Sequence, residues 1–126
     1  MIIRIEPESE IPIYIQLTNQ IIEGIAKGEL KPGESLPSVR TFAADLGVNM
    51  HTVNKSYHEL EKKGIIEIVP KSGAVIKSHP RVDQNTYDRL YESLKPQIAE
   101  GLVLGLTGEE LVELVGKIIG EMKKSP

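Results

Sequence analysis

Apolar residues recur every three or four positions in three stretches of the first half of the chain. These stretches lie within residues 12–28, 38–46 and 49–63, and their spacing is typical of helices that bury one face. The second and third stretches begin at Ser38 and Asn49, which are residue types that cap helix N-termini. The pattern therefore predicts three amphipathic helices.

Strand-like segments flank these helices. Residues 65–69 and 74–77 are rich in β-branched side chains, and turn-forming residues, Pro70-Lys71-Ser72-Gly73, lie between them. We therefore predict a β-hairpin there. Residues 1–10 begin with alternating apolar positions and then become acidic, which predicts an extended arm.

The fold class follows from a tight turn between the second and third helices. Gly47 can adopt the positive φ that a sharp helix end requires. Helix, tight turn, helix and hairpin in this order form a winged helix-turn-helix, which is mainly α with a small β-hairpin wing. We place the helix-turn-helix at residues 39–58 and the whole winged domain at residues 1–78.

The last part of the chain, residues 79–126, predicts two C-terminal helices. The first spans about residues 83–105 and contains Pro96, which should kink or interrupt it because proline lacks a backbone N–H. The second spans about residues 107–122 and begins with a Thr-x-x-Glu capping box.

Two such helices cannot bury both of their apolar faces in isolation. We expect them to pack against a second copy of the chain, as a dimerisation tail, although they could instead fold back on their own winged domain. The residues expected at this dimer contact are Tyr87, Leu90, Tyr91, Leu94, Ile98, Leu102, Leu111, Leu114, Val115 and Ile118.

The helix that begins at Asn49 has a polar face. At about 100° per residue, this face lies opposite the buried stripe that contains Val53 and Tyr57. It is either an ordinary solvated surface or, as we favour, a surface that reads the DNA major groove. Met50 lies near the apolar stripe, so we expect it to pack, with contact to a thymine methyl group as the alternative. The candidate DNA-contact residues are Arg40, Asn49, His51, Thr52, Asn54, Lys55, Lys71, Ser72 and Gly73.

Individual roles follow from side-chain chemistry. Arg40 is suited to a phosphate or a guanine, although it could pair with Asp45 instead. Lys55 is suited to a phosphate, and Asn54 to an adenine edge. At the hairpin tip, Gly73 is small enough to permit close approach to a minor groove or a phosphate, and a plain turn is the alternative.

Charge and composition limit the other classes of function. The net charge is -3, but residues 27–77 carry eight basic and six acidic residues, whereas both flanks are acidic. There is no Cys, the His residues lack metal-site spacing, and no catalytic motif is present. We therefore expect no enzyme, metal or cofactor. No run resembles a signal peptide or a membrane span, so we expect a cytoplasmic protein without a membrane partner.

Several motifs together resemble a known family. The segments Pro12-Ile13-Tyr14, Leu30-Lys31-Pro32-Gly33-Glu34-Ser35-Leu36-Pro37-Ser38-Val39-Arg40 and Gly64-Ile65-Ile66 resemble the DNA-binding domain of GntR-family bacterial transcription regulators. The resemblance covers about residues 10–77. The pattern of Asn49, Thr52, Val53, Lys55 and Tyr57, followed by a tail of about fifty residues, is similar to the YtrA subfamily.

This resemblance implies a homodimeric repressor, often of its own operon together with an ABC transporter, with operator contacts at the candidate residues above. The expected partners are a palindromic double-stranded operator and a second copy of the chain. Two alternatives remain open at this point: a winged-helix protein-interaction module that does not bind DNA, and a repressor that senses an effector through its tail. Nothing in the sequence marks an effector site.

Overall fold

Three helices and three short strands precede two longer C-terminal helices in the computed structural model, which describes residues 2–79 and 81–123. Two compact units are formed, the first ending at Ser78 and the second beginning at His79. The elements are α1 (Ile13–Ala26), β1 (Ser35–Leu36), α2 (Val39–Leu46), α3 (Met50–Lys62), β2 (Ile66–Val69), β3 (Gly73–Ile76), α4 (Gln84–Val103) and α5 (Gly108–Met122).

The ends of α2 and α3 are set by the residues that the sequence indicated. The Ser38 hydroxyl accepts a hydrogen bond from the Thr41 N–H at 3.2 Å, and Asn49 Oδ1 accepts one from the His51 N–H at 2.7 Å. Gly47 lies between the two helices at φ 69°. These caps satisfy backbone donors that a helix leaves unpaired, so the predicted helix-turn-helix is confirmed.

The core of the first unit is assembled from all three helices and the sheet. Its buried side chains are Leu17, Ile21, Leu36, Phe42, Ala43, Val53, Tyr57, Leu60, Ile66, Ala74 and Ile76. Burial raises the pKa of Tyr57, whose hydroxyl stays protonated and donates to the Pro37 carbonyl at 2.7 Å. This bond ties α3 to the segment that precedes α2.

The wing is a three-stranded antiparallel sheet in the order β1-β3-β2, not a hairpin alone. The sequence prediction missed β1, in which Ser35 pairs with Val75 and Leu36 pairs with Ala74. Two residues are too few to show a strand periodicity, so only the pairing with β3 reveals this strand.

The N-terminal arm is held against α1 by two glutamine side chains. The amide of Gln20 donates to the Arg4 carbonyl at 2.6 Å and accepts from the Arg4 N–H at 2.8 Å. Gln16 makes the same pair of bonds with Glu6, at 3.0 and 2.8 Å. These contacts recur at alternate residues, so the glutamines bind residues 4–6 of the arm much as a neighbouring strand would. Residues 7–11 instead form turns and bends, with the Ser9 N–H donating to the Glu6 carbonyl at 3.1 Å, so the prediction of an extended arm is wrong for its acidic part.

The second unit contains α4 and α5. Asp83 caps α4 by accepting from the Thr86 N–H, and this backbone hydrogen bond holds the pKa of Asp83 below its ordinary value. The helix continues across Pro96, so of the two predicted outcomes, a kink or an interruption, the interruption is wrong and the kink stays a prediction. Proline removes a single N–H, and the helical turns on both sides of it retain their own hydrogen bonds. The predicted capping box of Thr107 and Glu110 is confirmed.

Candidate nucleic-acid interface

A concave surface of about 620 Å³ lies between the start of α2, the start of α3 and the wing. Its position follows from the sheet, because β3 carries the wing tip back beside the first turns of α3. Its lining residues are Ser38, Val39, Arg40, Met50, His51, Asn54, Tyr57, Ile68, Val69, Pro70, Lys71 and Gly73.

Five of the nine candidate DNA-contact residues lie together on this surface: Arg40, His51, Asn54, Lys71 and Gly73. The first four are exposed, and the last is buried. They bring guanidinium, imidazole, amide and ammonium groups together on one face of the unit. Such groups can contact both base edges and phosphates.

The other four candidates lie outside the lining of this surface: Asn49, Thr52, Lys55 and Ser72. Asn49 uses its side-chain oxygen in the cap of α3, Thr52 is partly buried, and the other two are exposed. Each of the four is adjacent in the sequence to a residue that lines the concave surface.

Met50 is exposed, and the expectation that it packs is wrong. Its exposed fraction is 41 %, and it lines the concave surface beside His51 and Asn54. A helical side chain leans toward the turn that precedes it, and Met50 is the first residue of α3, so no preceding turn of that helix covers it. The surface thus includes one apolar side chain among the polar ones.

Gly73 is required by the protein's own backbone. It is buried at φ 106°, and a Cβ atom at this position would lie 2.9 Å from the Pro37 carbonyl oxygen and closer still to that of Leu36. This packing requires a glycine whether or not the wing approaches DNA, so the predicted approach of Gly73 to DNA stays a prediction. Lys71 and Ser72 form the exposed tip, and Lys71 itself has a positive φ of 68°.

The basic groups of the interface carry no carboxylate partner in the described part of the chain. Across residues 2–79 and 81–123, the single ion pair joins Lys63 to Glu59 at 3.9 Å, so Arg40 does not pair with Asp45. The positive charge at Arg40 and Lys71 is therefore available to a ligand.

Two contacts that hold the interface in place could not be read from the sequence. Glu61 near the end of α3 accepts a hydrogen bond from the Ile68 N–H of β2 at 2.9 Å, which ties the helix to the edge strand of the wing. The Lys55 ammonium lies 4.3 Å from the centre of the Tyr14 ring of α1. Neither pair has a local sequence signal, because its members meet only in the folded unit.

A second surface, on the C-terminal unit, is apolar. Most of the residues expected at a dimer contact are exposed there, among them Tyr87, Leu94 and Val115. Leu111 is buried because Gly101 of α4 leaves room for it: a Cβ there would lie 2.8 Å from its Cδ2 atom. The residues that line the apolar groove of about 470 Å³ between α4 and α5 are Ile98, Leu102, Gly108, Leu111, Val112, Val115, Gly116 and Ile119.

The winged unit matches a family model described as bacterial regulatory proteins of the gntR family, over residues 13–76. The chain belongs to the GntR family. The matched segment contains the helix-turn-helix and the wing, and it therefore assigns the concave surface to the DNA-binding domain of a transcription regulator. The predicted family and fold class are confirmed.

Relatives extend the similarity across the C-terminal unit. The repressor YtrA of Bacillus subtilis is 37 % identical over 96 % of this chain and 95 % of its own length. YtrA of Sulfolobus acidocaldarius, a GntR-family transcription factor of known structure, is 44 % identical, with a TM-score of 0.61 over 94 % of this chain and 97 % of its own. A transcriptional antiterminator of Listeria monocytogenes is 31 % identical, with a TM-score of 0.86 over 97 % and 92 % of the two chains.

The similar structures include complexes with operator DNA. The DNA-binding domain of AraR in complex with operator ORX1 has a TM-score of 0.51 and 27 % identity, and it covers 56 % of this chain and 88 % of its own length. Within the described residues of the present protein, no helix combines the length and apolar character needed to cross a membrane. The same residues contain no group of three or more His, Asp or Glu side chains arranged to hold a metal ion.

Proposed function

We propose that this protein is a homodimeric repressor of its own operon, together with genes of an ABC transporter. It binds a palindromic operator upstream of that operon. The observation that carries the proposal is the convergence of Arg40, His51, Asn54 and Lys71 on one concave surface beside the start of α3. The operator complex of the AraR domain and the repressor activity named for Bacillus YtrA support the same function.

In this proposal α3 enters the major groove with its first two turns. Asn54 reads an adenine edge, Arg40 contacts a guanine or a phosphate, and His51 lies between them. Met50, which is exposed, contacts a thymine methyl group. Asn49, Thr52 and Lys55 contact the flanking phosphates.

The wing contributes contacts to the neighbouring backbone. Lys71 and Ser72 at its tip approach a minor groove or a phosphate, and Gly73 acts indirectly by letting the tip fold beside β1. The bond between Glu61 and the Ile68 N–H fixes the wing relative to α3, so both elements meet DNA in one geometry.

A second copy of the chain is the proposed occupant of the apolar surface on α4 and α5. In the described part of this unit only Leu111 is buried, and a helix pair with so little core needs further burial to be stable. A twofold pair would place two copies of α3 about 34 Å apart, on successive turns of the DNA. Since residues 27–77 carry a net charge of only +2, linking two copies of the winged unit raises the affinity.

The proposal predicts the salt dependence of DNA binding. The full-length protein should bind the DNA upstream of its own coding sequence, and affinity should fall steeply as salt rises because cations are released from phosphates. Lys55→Ala should reduce the slope of log affinity against log salt by about 1 for each copy bound. Asn54→Ala should relax preference at one base position, equivalent to about 1–3 kcal/mol. Mobility shift across a salt series measures both effects.

The matched control is Lys62→Ala, which removes the same charge two turns further along α3. The slope of log affinity against log salt for this variant should stay close to that of the unmodified protein. Failure to shift the upstream fragment at low salt would exclude the repressor, and binding to another protein instead would favour the winged-helix interaction module.

A further inference from the structure

Tyr14 and Lys55 form a contact between α1 and α3 at the edge of the DNA-facing surface. The Lys55 Nζ atom lies 4.3 Å from the centre of the Tyr14 ring, which is well within the range of a cation–π interaction. Tyr14 is partly buried, whereas Lys55 is exposed. The lysine is therefore held on one side and open to solvent on the other.

The backbone of Tyr14 takes part in a polar contact between α1 and α3. Its backbone carbonyl accepts a hydrogen bond from the Thr18 hydroxyl at 2.7 Å, and Thr18 Oγ1 in turn lies 2.8 Å from the hydroxyl of Ser56, the residue next to Lys55. Thr18 and Ser56 are both buried. These hydroxyl contacts join α1 to α3 close in sequence to Tyr14 and Lys55, so they hold together the two helix backbones that carry the ring and the ammonium group.

An aromatic ring restrains an ammonium group without neutralising it. A carboxylate partner would cancel the charge and would have to be displaced by a phosphate, whereas the ring leaves the full charge in place. In the described residues the one ion pair is that of Lys63, so no carboxylate competes for Lys55. A lysine that is already ordered also loses less conformational freedom when it binds a phosphate.

We propose that Tyr14 is a positioning residue for DNA binding, which holds the Lys55 ammonium in place for a backbone phosphate. This inference rests on the proposed function, since it assumes that Lys55 faces DNA. It adds a residue of α1, outside the helix-turn-helix and the wing, to those that determine operator affinity.

The test is a double-mutant cycle on the full-length protein with the upstream DNA fragment, measured at equilibrium over a series of KCl concentrations. Tyr14→Leu should weaken binding by about two- to fivefold for each bound copy, with an unchanged salt slope because the charge remains. Tyr14→Phe, which keeps the ring, should bind as the unmodified protein does. Lys55→Met should reduce the slope, and adding Tyr14→Leu to it should have no further effect.

A second readout needs no DNA. In the NMR spectrum of the free protein, the ε-methylene protons of Lys55 should be shifted upfield by the ring, and Tyr14→Leu should abolish the shift while Tyr14→Phe retains it. An unshifted Lys55 signal would overturn the inference. The inference would also be overturned if Tyr14→Leu lowered affinity equally in the unmodified protein and in the Lys55→Met variant. It would likewise be overturned if Tyr14→Phe lowered affinity as much as Tyr14→Leu does. Either result would mean that Tyr14 affects DNA binding through the fold and not through the contact of its ring with Lys55.

The two proposals fail in distinguishable ways. If the unmodified protein does not bind the fragment even at low salt, the repressor function and the role of Tyr14 in it are both excluded, whatever the NMR shift. If the unmodified protein binds but Tyr14 and Lys55 contribute independently, only the positioning role is excluded.

Discussion

Gly73→Ala is expected to lower the free energy of unfolding of the winged unit by about 3–5 kcal/mol, the range of the most damaging single substitutions. The new methyl group would meet the backbone carbonyls of Leu36 and Pro37, which cannot move without breaking the pairing of β1 with β3. Position 73 also has a φ of 106°, which an alanine adopts only with strain. Urea unfolding followed by circular dichroism measures the loss.

Gly33→Ala separates the two causes. Gly33 also has a positive φ, of 89°, but a Cβ there would meet nothing within 4 Å. Its replacement should therefore cost only the backbone strain, roughly 1 kcal/mol. Equal losses of stability from the two substitutions would show that the contact of the new methyl group with the Leu36–Pro37 backbone adds no cost beyond the backbone strain.

The helices were predictable from the sequence because their signals are local. Ser38, Asn49, Asp83 and Thr107 each cap the helix that follows, and the apolar spacing within α1, α2 and α3 identifies the buried face of each. The turn at Gly47 was predictable for the same reason, because a left-handed glycine that ends a helix is a local signal and does not depend on the rest of the fold.

Features that depend on distant parts of the chain were not predictable. Strand β1 exists because Leu36 pairs with Ala74, and Gly73 is small because the same segment passes against it. The glutamine contacts to the N-terminal arm join residues 10 or 16 positions apart. No periodicity records such pairings, so only the folded unit reveals them.

The candidate interface contains both predictable and unpredictable features. Helical spacing correctly put His51, Asn54 and Lys55 on the exposed side of α3. It failed for Met50, because the angle around the helix axis was used without the position along it: Met50 is the first residue of α3, and no preceding turn covers it. It also could not show that Lys55 meets Tyr14, since the two are joined only by the packing of α1 on α3.

Val115→Lys is expected to convert a dimer into a monomer. Val115 lines the apolar groove between α4 and α5, and in a twofold dimer the substitution would place an ammonium group in the interface from each copy. Burying two unpaired charges costs several kcal/mol, so the dissociation constant should rise by roughly three orders of magnitude. Sedimentation at several protein concentrations measures it. The affinity for the operator should also fall, by about 10²–10⁴-fold, because a monomer loses bivalent binding.

Val103→Lys is the matched control, because it makes the same exchange on the same unit. Val103 is 85 % exposed at the end of α4, outside the groove, where a positive charge is also favourable for the helix dipole. This variant should remain a dimer and bind DNA normally. Val115 is itself 38 % exposed in the single chain, so a lysine there can reach water in the monomer and α5 should keep its helical circular dichroism. If both variants sediment as the unmodified protein does, the groove is not the surface that joins two copies, and the apolar face of α4 and α5 must be covered in another way.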